Sequence, residues 1–281
     1  MKKLVLLFAV YMTSLVTVSA QRHSCCAPST DGPALALQSD FIADHLAPNP
    51  LDYTPEATSS MLQFTTTSGN NGTAFYVPSG KPTKKVLILC HEWWGLNDYI
   101  KREAEHWQKM LGDVDVYAID LYDGKVASTP DDASKYMSAL DQARGEAIVK
   151  GLLQKIGNDK EIVTLGWCMG GTWSFNTTLA AGNHAKGCVM YYGFPESDVK
   201  RIKTLKTDIL YIYGSQDKYI TKDAVETLGK EVKAAGHKFE LHAYDAVHAF
   251  ANPSNPKFDK VHADEAEAIS LKFIKSKLGL K

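Results

Sequence analysis

Gly166-Trp167-Cys168-Met169-Gly170-Gly171 lies between an apolar, β-type run at residues 162–165 and a helix-compatible run at residues 172–181. Strand, sharp turn and helix in that order are the setting of a nucleophile elbow, with cysteine where the better-known G-x-S-x-G motif carries serine. The glycines answer a steric demand. A nucleophile on such a turn has a strained backbone, and the residues two before and two after it must lack bulk. The turn lifts the sulfur out of the sheet edge and sets it at the start of a helix, where the macrodipole favours negative charge. A buried cysteine beside close-packing glycines would show the same hexapeptide, so the partners of Cys168 decide between the two.

Outward from this turn the chain alternates strand and helix. Strands are expected at residues 86–90, 114–119, 161–165, 187–192, 208–213 and 238–244, and helices at 98–111, 131–155, 222–235 and 263–278. The 86–90 run is apolar throughout, as in strands covered on both faces. Ahead of it, residues 61–67 and 73–77 read as a hairpin, with Asn71-Gly72 in the connection, where positive φ costs little. Such alternation predicts a mostly parallel sheet with helices on both faces, and sites in these sheets lie at the carboxyl ends of the strands.

Three strand ends carry candidate chemistry. Cys168 follows the 161–165 strand, Asp217 follows the 208–213 strand in Gly214-Ser215-Gln216-Asp217, and His248 follows the 238–244 strand. Nucleophile, acid, histidine is the chain order of the α/β-hydrolase fold. A base must deprotonate the nucleophile, and a carboxylate must orient and stabilise the imidazole. A second stretch, His91-Glu92-Trp93-Trp94-Gly95-Leu96-Asn97, follows the 86–90 strand. It is no H-E-x-x-H zinc motif, because Gly95 stands where the second histidine belongs and no helix carries it. In a hydrolase this loop donates one oxyanion-hole N–H and the residue after the nucleophile donates the other, which here means Trp93 and Met169. Glu92 beside a thiol is a carboxylate in search of a role.

Residues 1–20 read as a secretory signal peptide, with Lys2 and Lys3 ahead of an apolar run and Val18-Ser19-Ala20 as the cleavage site. That run is shorter than the roughly 20 residues of a spanning helix, so export without stable membrane insertion is expected, to the periplasm or beyond. Residues 21–53, rich in Pro, Ser, Thr and Asp, read as an extended or partly disordered arm. Residues 54–281 form one domain. A net charge of −1 gives no electrostatic case for nucleic acid or a membrane surface. Five cysteines leave at least one without an intramolecular partner, and the pairing of Cys25, Cys26, Cys90 and Cys188 stays open.

The loop at 92–97, Asp120-Leu121-Tyr122, the 166–171 turn, Tyr213-Gly214-Ser215-Gln216-Asp217 and His248-Ala249-Phe250 together resemble the dienelactone hydrolase family, the carboxymethylenebutenolidases. The resemblance covers residue 54 onward. It implies an α/β-hydrolase fold without cofactor or metal, Cys168 as nucleophile, His248 as base, Asp217 as orienting acid, and Glu92 as a carboxylate that helps generate the thiolate. It also implies arginines that bind a substrate carboxylate, yet the matching positions read Asp123-Gly124-Lys125 and Ala251-Asn252. A monomeric hydrolase of a small, more apolar ester or lactone is therefore expected, with Trp94, Tyr122, Lys125, Trp167 and Phe250 as pocket candidates. A non-catalytic binding protein and a thiol redox sensor stay open as alternatives.

Overall fold

A computed structural model describes residues 31–281. The expected signal peptide, the first part of the arm, and Cys25 and Cys26 lie outside the described residues. The elements run α1 (Asp31–Leu35), α2 (Ser39–Asp44), β1 (Ser60–Phe64), β2 (Gly72–Val77), β3 (Lys85–Cys90), α3 (Asp98–Leu111), β4 (Asp115–Ile119), α4 (Pro130–Ser138), α5 (Gln142–Ile156), β5 (Glu161–Trp167), α6 (Met169–Ala181), β6 (Ala185–Tyr191), α7 (Val199–Ile202), β7 (Ile209–Gly214), α8 (Lys222–Ala234), β8 (Phe239–Tyr244) and α9 (Lys260–Lys277).

The strands form one sheet in the order β1-β2-β4-β3-β5-β6-β7-β8. The β1–β2 hairpin joins β4 antiparallel, and every pair from β4 to β8 is parallel. This is the mostly parallel sheet with an N-terminal hairpin that the sequence predicts. Its centre is β3, whose Val86, Leu87, Ile88, Leu89 and Cys90 are fully buried. Side-chain alternation along β6 assigns the helical layers. A side chain at Gly187 would meet Phe273 and Lys277 of α9, and Tyr191 reaches Ser270 of the same helix, whereas Cys188 contacts Ser174 of α6. So α9 covers one face and α6 the other. The strand β5 lies between β3 and β6, which keeps Cys90 and Cys188 apart, and both are free thiols.

Two segments differ from the sequence reading. Residues 131–155, expected as one helix, are two. Thr129 caps α4 ahead of Pro130, and Asp141 accepts from the Ala143 N–H to start α5 afresh. Residues 31–53, expected as part of an extended or partly disordered arm, carry the short helices α1 and α2, too brief for a sustained hydrophobic period. Their order comes from tertiary contacts: Ser134 Oγ donates to the Ala36 carbonyl, Tyr219 to Asp44, and Tyr99 to the Asn49 carbonyl. Among the described residues no helix is long and apolar enough to cross a membrane.

Candidate active site

The elbow forms because its glycines are compulsory. A β-carbon at Gly166 would run into the Gly170 carbonyl, and one at Gly170 into the carbonyls of Cys90 and His91. With both small, the chain turns at Cys168, whose φ of 53° is costly for any residue with a side chain. The turn is pinned from both sides: the Cys168 N–H donates to the Tyr191 carbonyl at 2.9 Å, and the Gly171 N–H donates to the Cys168 carbonyl at 2.8 Å. Helix α6 is buried almost throughout, and its hydroxyls find a partner on β5, Ser174 and Thr178 lying 2.8 and 2.7 Å from Thr164 Oγ1.

Three strand ends meet at that turn. His248 Nε2 lies 3.2 Å from Cys168 Sγ, and its Nδ1 lies 2.7 Å from Asp217 Oδ2. The other oxygen of Asp217 accepts from the N–H groups of Tyr219 at 2.8 Å and Ile220 at 3.0 Å, which fixes the carboxylate. Burial is the largest single influence and favours neutral forms of both groups, but the attractions and hydrogen bonds around them together outweigh it. The Asp217 carboxyl is held below its ordinary range by His248 and the two backbone donors, and His248 is raised above ordinary imidazole by Asp217 and Cys168. Of the four non-glycine residues with positive φ among the described residues, Cys168, Tyr192 and Ala249 all border this cluster. Backbone strain of that kind gathers at functional sites. His91 is excluded from the chemistry: its Nδ1 donates to the Glu92 carbonyl and its Nε2 accepts from the Leu121 N–H.

Glu92 is fully buried, and burial pushes its carboxyl up to about 8 against the pull of its hydrogen bonds. Those bonds, from the Trp94 N–H and from the Ser254 and Asn252 side chains, favour the carboxylate, and burial outweighs them. Oε2 accepts from the Trp94 N–H at 2.8 Å, and Oε1 lies 3.1 Å from Ser254 Oγ. The Ser254 hydroxyl has a second neighbour, Asn252 Oδ1, at 2.9 Å, an oxygen that also accepts from the Ser254 N–H. One hydroxyl proton cannot serve both contacts at once, so Ser254 donates either to Glu92 or to Asn252.

The remaining sequence candidates separate. Tyr122 borders the elbow, its hydroxyl 3.3 Å from Met169 Sδ. Trp93 packs against Trp94 and against the N-terminal arm. Trp167 packs on Tyr191 and Phe250 lies beneath Tyr192, so both support the site from behind. Lys125 points its ammonium at the ring of Tyr136. Asn252 is buried in the Glu92 network, so an arginine does not fit there without displacing it.

Sequence reasoning missed Phe41, His45 and Tyr192. Phe41 is 0 % exposed and sits edge-on to Trp93 and Tyr219, with its centroid 6.1 Å from that of His248. His45 follows one turn later, donating from Nδ1 to the Phe41 carbonyl at 2.7 Å, and desolvation pushes it down to about 3. The arm therefore roofs the site and leaves Cys168 only 2 % exposed. Phe41→Ala is expected to destabilise the protein by about 3–5 kcal/mol. It should also speed iodoacetamide labelling of Cys168, as read by denaturant midpoint and labelling rate. Unchanged labelling would show that the thiol is reached by another route.

Residues 72–278 match the model of the dienelactone hydrolase family. "Protein usf" of Aquifex pyrophilus is 28 % identical over 214 residues, covering 72 % of this chain and 93 % of that protein. Among solved structures, a dienelactone hydrolase-like promiscuous phosphotriesterase from metagenomic libraries superposes with a TM-score of 0.64 at 16 % identity, covering 79 % of this chain and 99 % of its own. An esterase of Pyrococcus furiosus gives 0.62 at 15 % identity, covering 82 % and 99 %. At such identities the structures speak for the fold alone, but the family model spans most of the chain, which belongs to the dienelactone hydrolase family.

Proposed function

We propose that this member of the family is an exported hydrolase of uncharged esters or lactones that works through an acyl-cysteine intermediate. His248 takes the proton of Cys168, and the thiolate attacks the substrate carbonyl. The oxyanion falls to the N–H groups of Trp93 and Met169, the latter among the orphan donors of the first turn of α6. His248 returns its proton to the leaving alkoxide, then deprotonates the water that cleaves the thioester. Asp217 holds the imidazole in register throughout. One observation carries this reading: the Sγ–Nε2 and Nδ1–Oδ2 distances of 3.2 and 2.7 Å on a positive-φ turn.

Substrate class follows from the walls. Beside Met169 lies a cavity of about 240 Å³ with apolar walls at Pro33, Met137, Leu140, Trp173 and Phe194 and a polar side at Asp141, Gln142, Thr172 and Asn176, room for an acyl chain with a polar end. No arginine stands at positions 124 or 252 to meet a carboxylate. The test is a series of p-nitrophenyl esters of graded chain length, with a monoester of a dicarboxylic acid as the charged comparison. The neutral ester of matching length should show kcat/KM about tenfold higher or more, since the charged one enters without a charge-assisted partner. Preference for the anionic substrate would overturn the assignment and point to Lys125. Export rests on residues 1–20, and the exported chain should begin at Gln21.

A further inference from the structure

We propose that His45, Cys168 and His248 form a binding site for one Zn²⁺ ion, which reversibly closes the hydrolytic centre. The donor atoms that these three residues offer all lie within 4.8 Å of one another, and all three are buried. The hydrolytic cycle uses two of them and leaves His45 without a task. Its Nδ1 proton is committed to the Phe41 carbonyl, so Nε2 carries a free lone pair, and that atom is buried with no partner among the described residues. A side chain 7 % exposed with an unsatisfied acceptor stands against the ordinary rule for buried polar groups.

The supporting contacts are those of metal-binding histidines, which donate their second N–H to a carbonyl or a carboxylate. His45 does so to Phe41 and His248 to Asp217. One sulfur and two imidazole nitrogens suit zinc and not the oxygen-seeking Mg²⁺ or Ca²⁺. Bonds of about 2.0–2.3 Å require His45 to close in by about 1 Å, while Cys168 and His248, 3.2 Å apart, part by a few tenths of an ångström. His45 provides that movement, lying just past the end of α2 beside a hollow of about 170 Å³ that leads to Lys257 and Tyr219. Binding forms one Zn–S and two Zn–N bonds. The single proton shared by Cys168 and His248 leaves to solvent, no electron is transferred, and the fourth position is left to water. Nucleophile and base are then both occupied, so hydrolysis stops until the ion is withdrawn.

The inhibition, though not the binding, rests on the hydrolase reading, and the test separates the two. Co²⁺ is titrated into the full chain carrying Cys25→Ser and Cys26→Ser, and the thiolate-to-cobalt absorption band is followed. One equivalent should produce the band, Zn²⁺ should bleach it, and Zn²⁺ should inhibit ester hydrolysis with relief by a chelator. His45→Ala should weaken binding by more than about 100-fold, because losing even a supporting contact of a ligand costs about 10- to 100-fold. His45→Cys, which replaces one donor with another, should restore a more intense band and guards against an alanine variant that merely misfolds. Absence of the band in the parent chain, or an unchanged band in His45→Ala, overturns the site. If the band fails while Cys168→Ala abolishes hydrolysis, the metal site alone falls. If the band forms while hydrolysis is indifferent to Cys168, the hydrolase reading alone falls.

Discussion

Cys168→Ala is expected to lower ester hydrolysis by about 10⁴-fold or more, the scale on which an enzyme loses rate when its nucleophile is removed. What survives would come from the oxyanion donors and substrate binding alone. Cys168→Ser should keep the fold and a small fraction of the rate, because His248 is placed against a sulfur at 3.2 Å and a hydroxyl is a far poorer acid. Labelling gives an independent reading. Iodoacetamide should modify Cys168 ahead of Cys90 and Cys188, since burial pushes the Cys90 thiol up to about 12 and raises that of Cys188. An alanine variant with undiminished activity would place the reaction elsewhere.

Glu92→Gln is expected to stabilise the protein at pH 7 by ~2–3 kcal/mol, an unusual result for a fully buried polar residue. The sign follows from the raised carboxyl, at about 8 in the folded chain against 4.5 for a free glutamate. Above 4.5 the unfolded chain releases this proton while the folded chain keeps it, so stability falls as pH rises towards about 8. Glutamine is neutral at every pH, its oxygen accepts from the Trp94 N–H, and its amide donates to Ser254 Oγ once that hydroxyl turns fully to Asn252. The gap between variant and wild type should close as pH falls to 4.5, and thermal or denaturant unfolding across that range measures it. Hydrolysis at pH 7 should change by only a few-fold, because the wild-type residue is already uncharged. A large loss of the chemical step with normal stability would show that Glu92 surrenders its proton when substrate enters, restoring the role that the family resemblance implies.

Tyr192 and the N-terminal arm show why some of the site was hidden. Tyr192 reads as one more apolar residue at a strand end, yet in the structure its ring centroid lies 5.2 Å from that of His248. Phe41 and His45 stand in a stretch with no sustained period, and the partners that order them lie more than a hundred residues further along the chain, at Tyr219 and His248. The break between α4 and α5 is of another kind. Its capping aspartate, Asp141, is local and was available to the sequence reading, but the helical pattern on both sides obscured it.

By itself, then, the sequence determined the alternation of strands and helices, the hairpin at the sheet edge, the sharp turn at Cys168, and the strand ends from which Asp217 and His248 project. These depend on neighbours in the chain, through apolar periodicity and through the steric need for glycine at positions 166 and 170. Tertiary structure decided the rest: the arm that roofs the thiol, the unpartnered Nε2 of His45, and the burial that raises the Glu92 carboxyl. The physical reason is desolvation. How strongly a carboxyl or an imidazole holds its proton depends on the water that packing removes and the partners it supplies, and neither exists until distant segments close over the site.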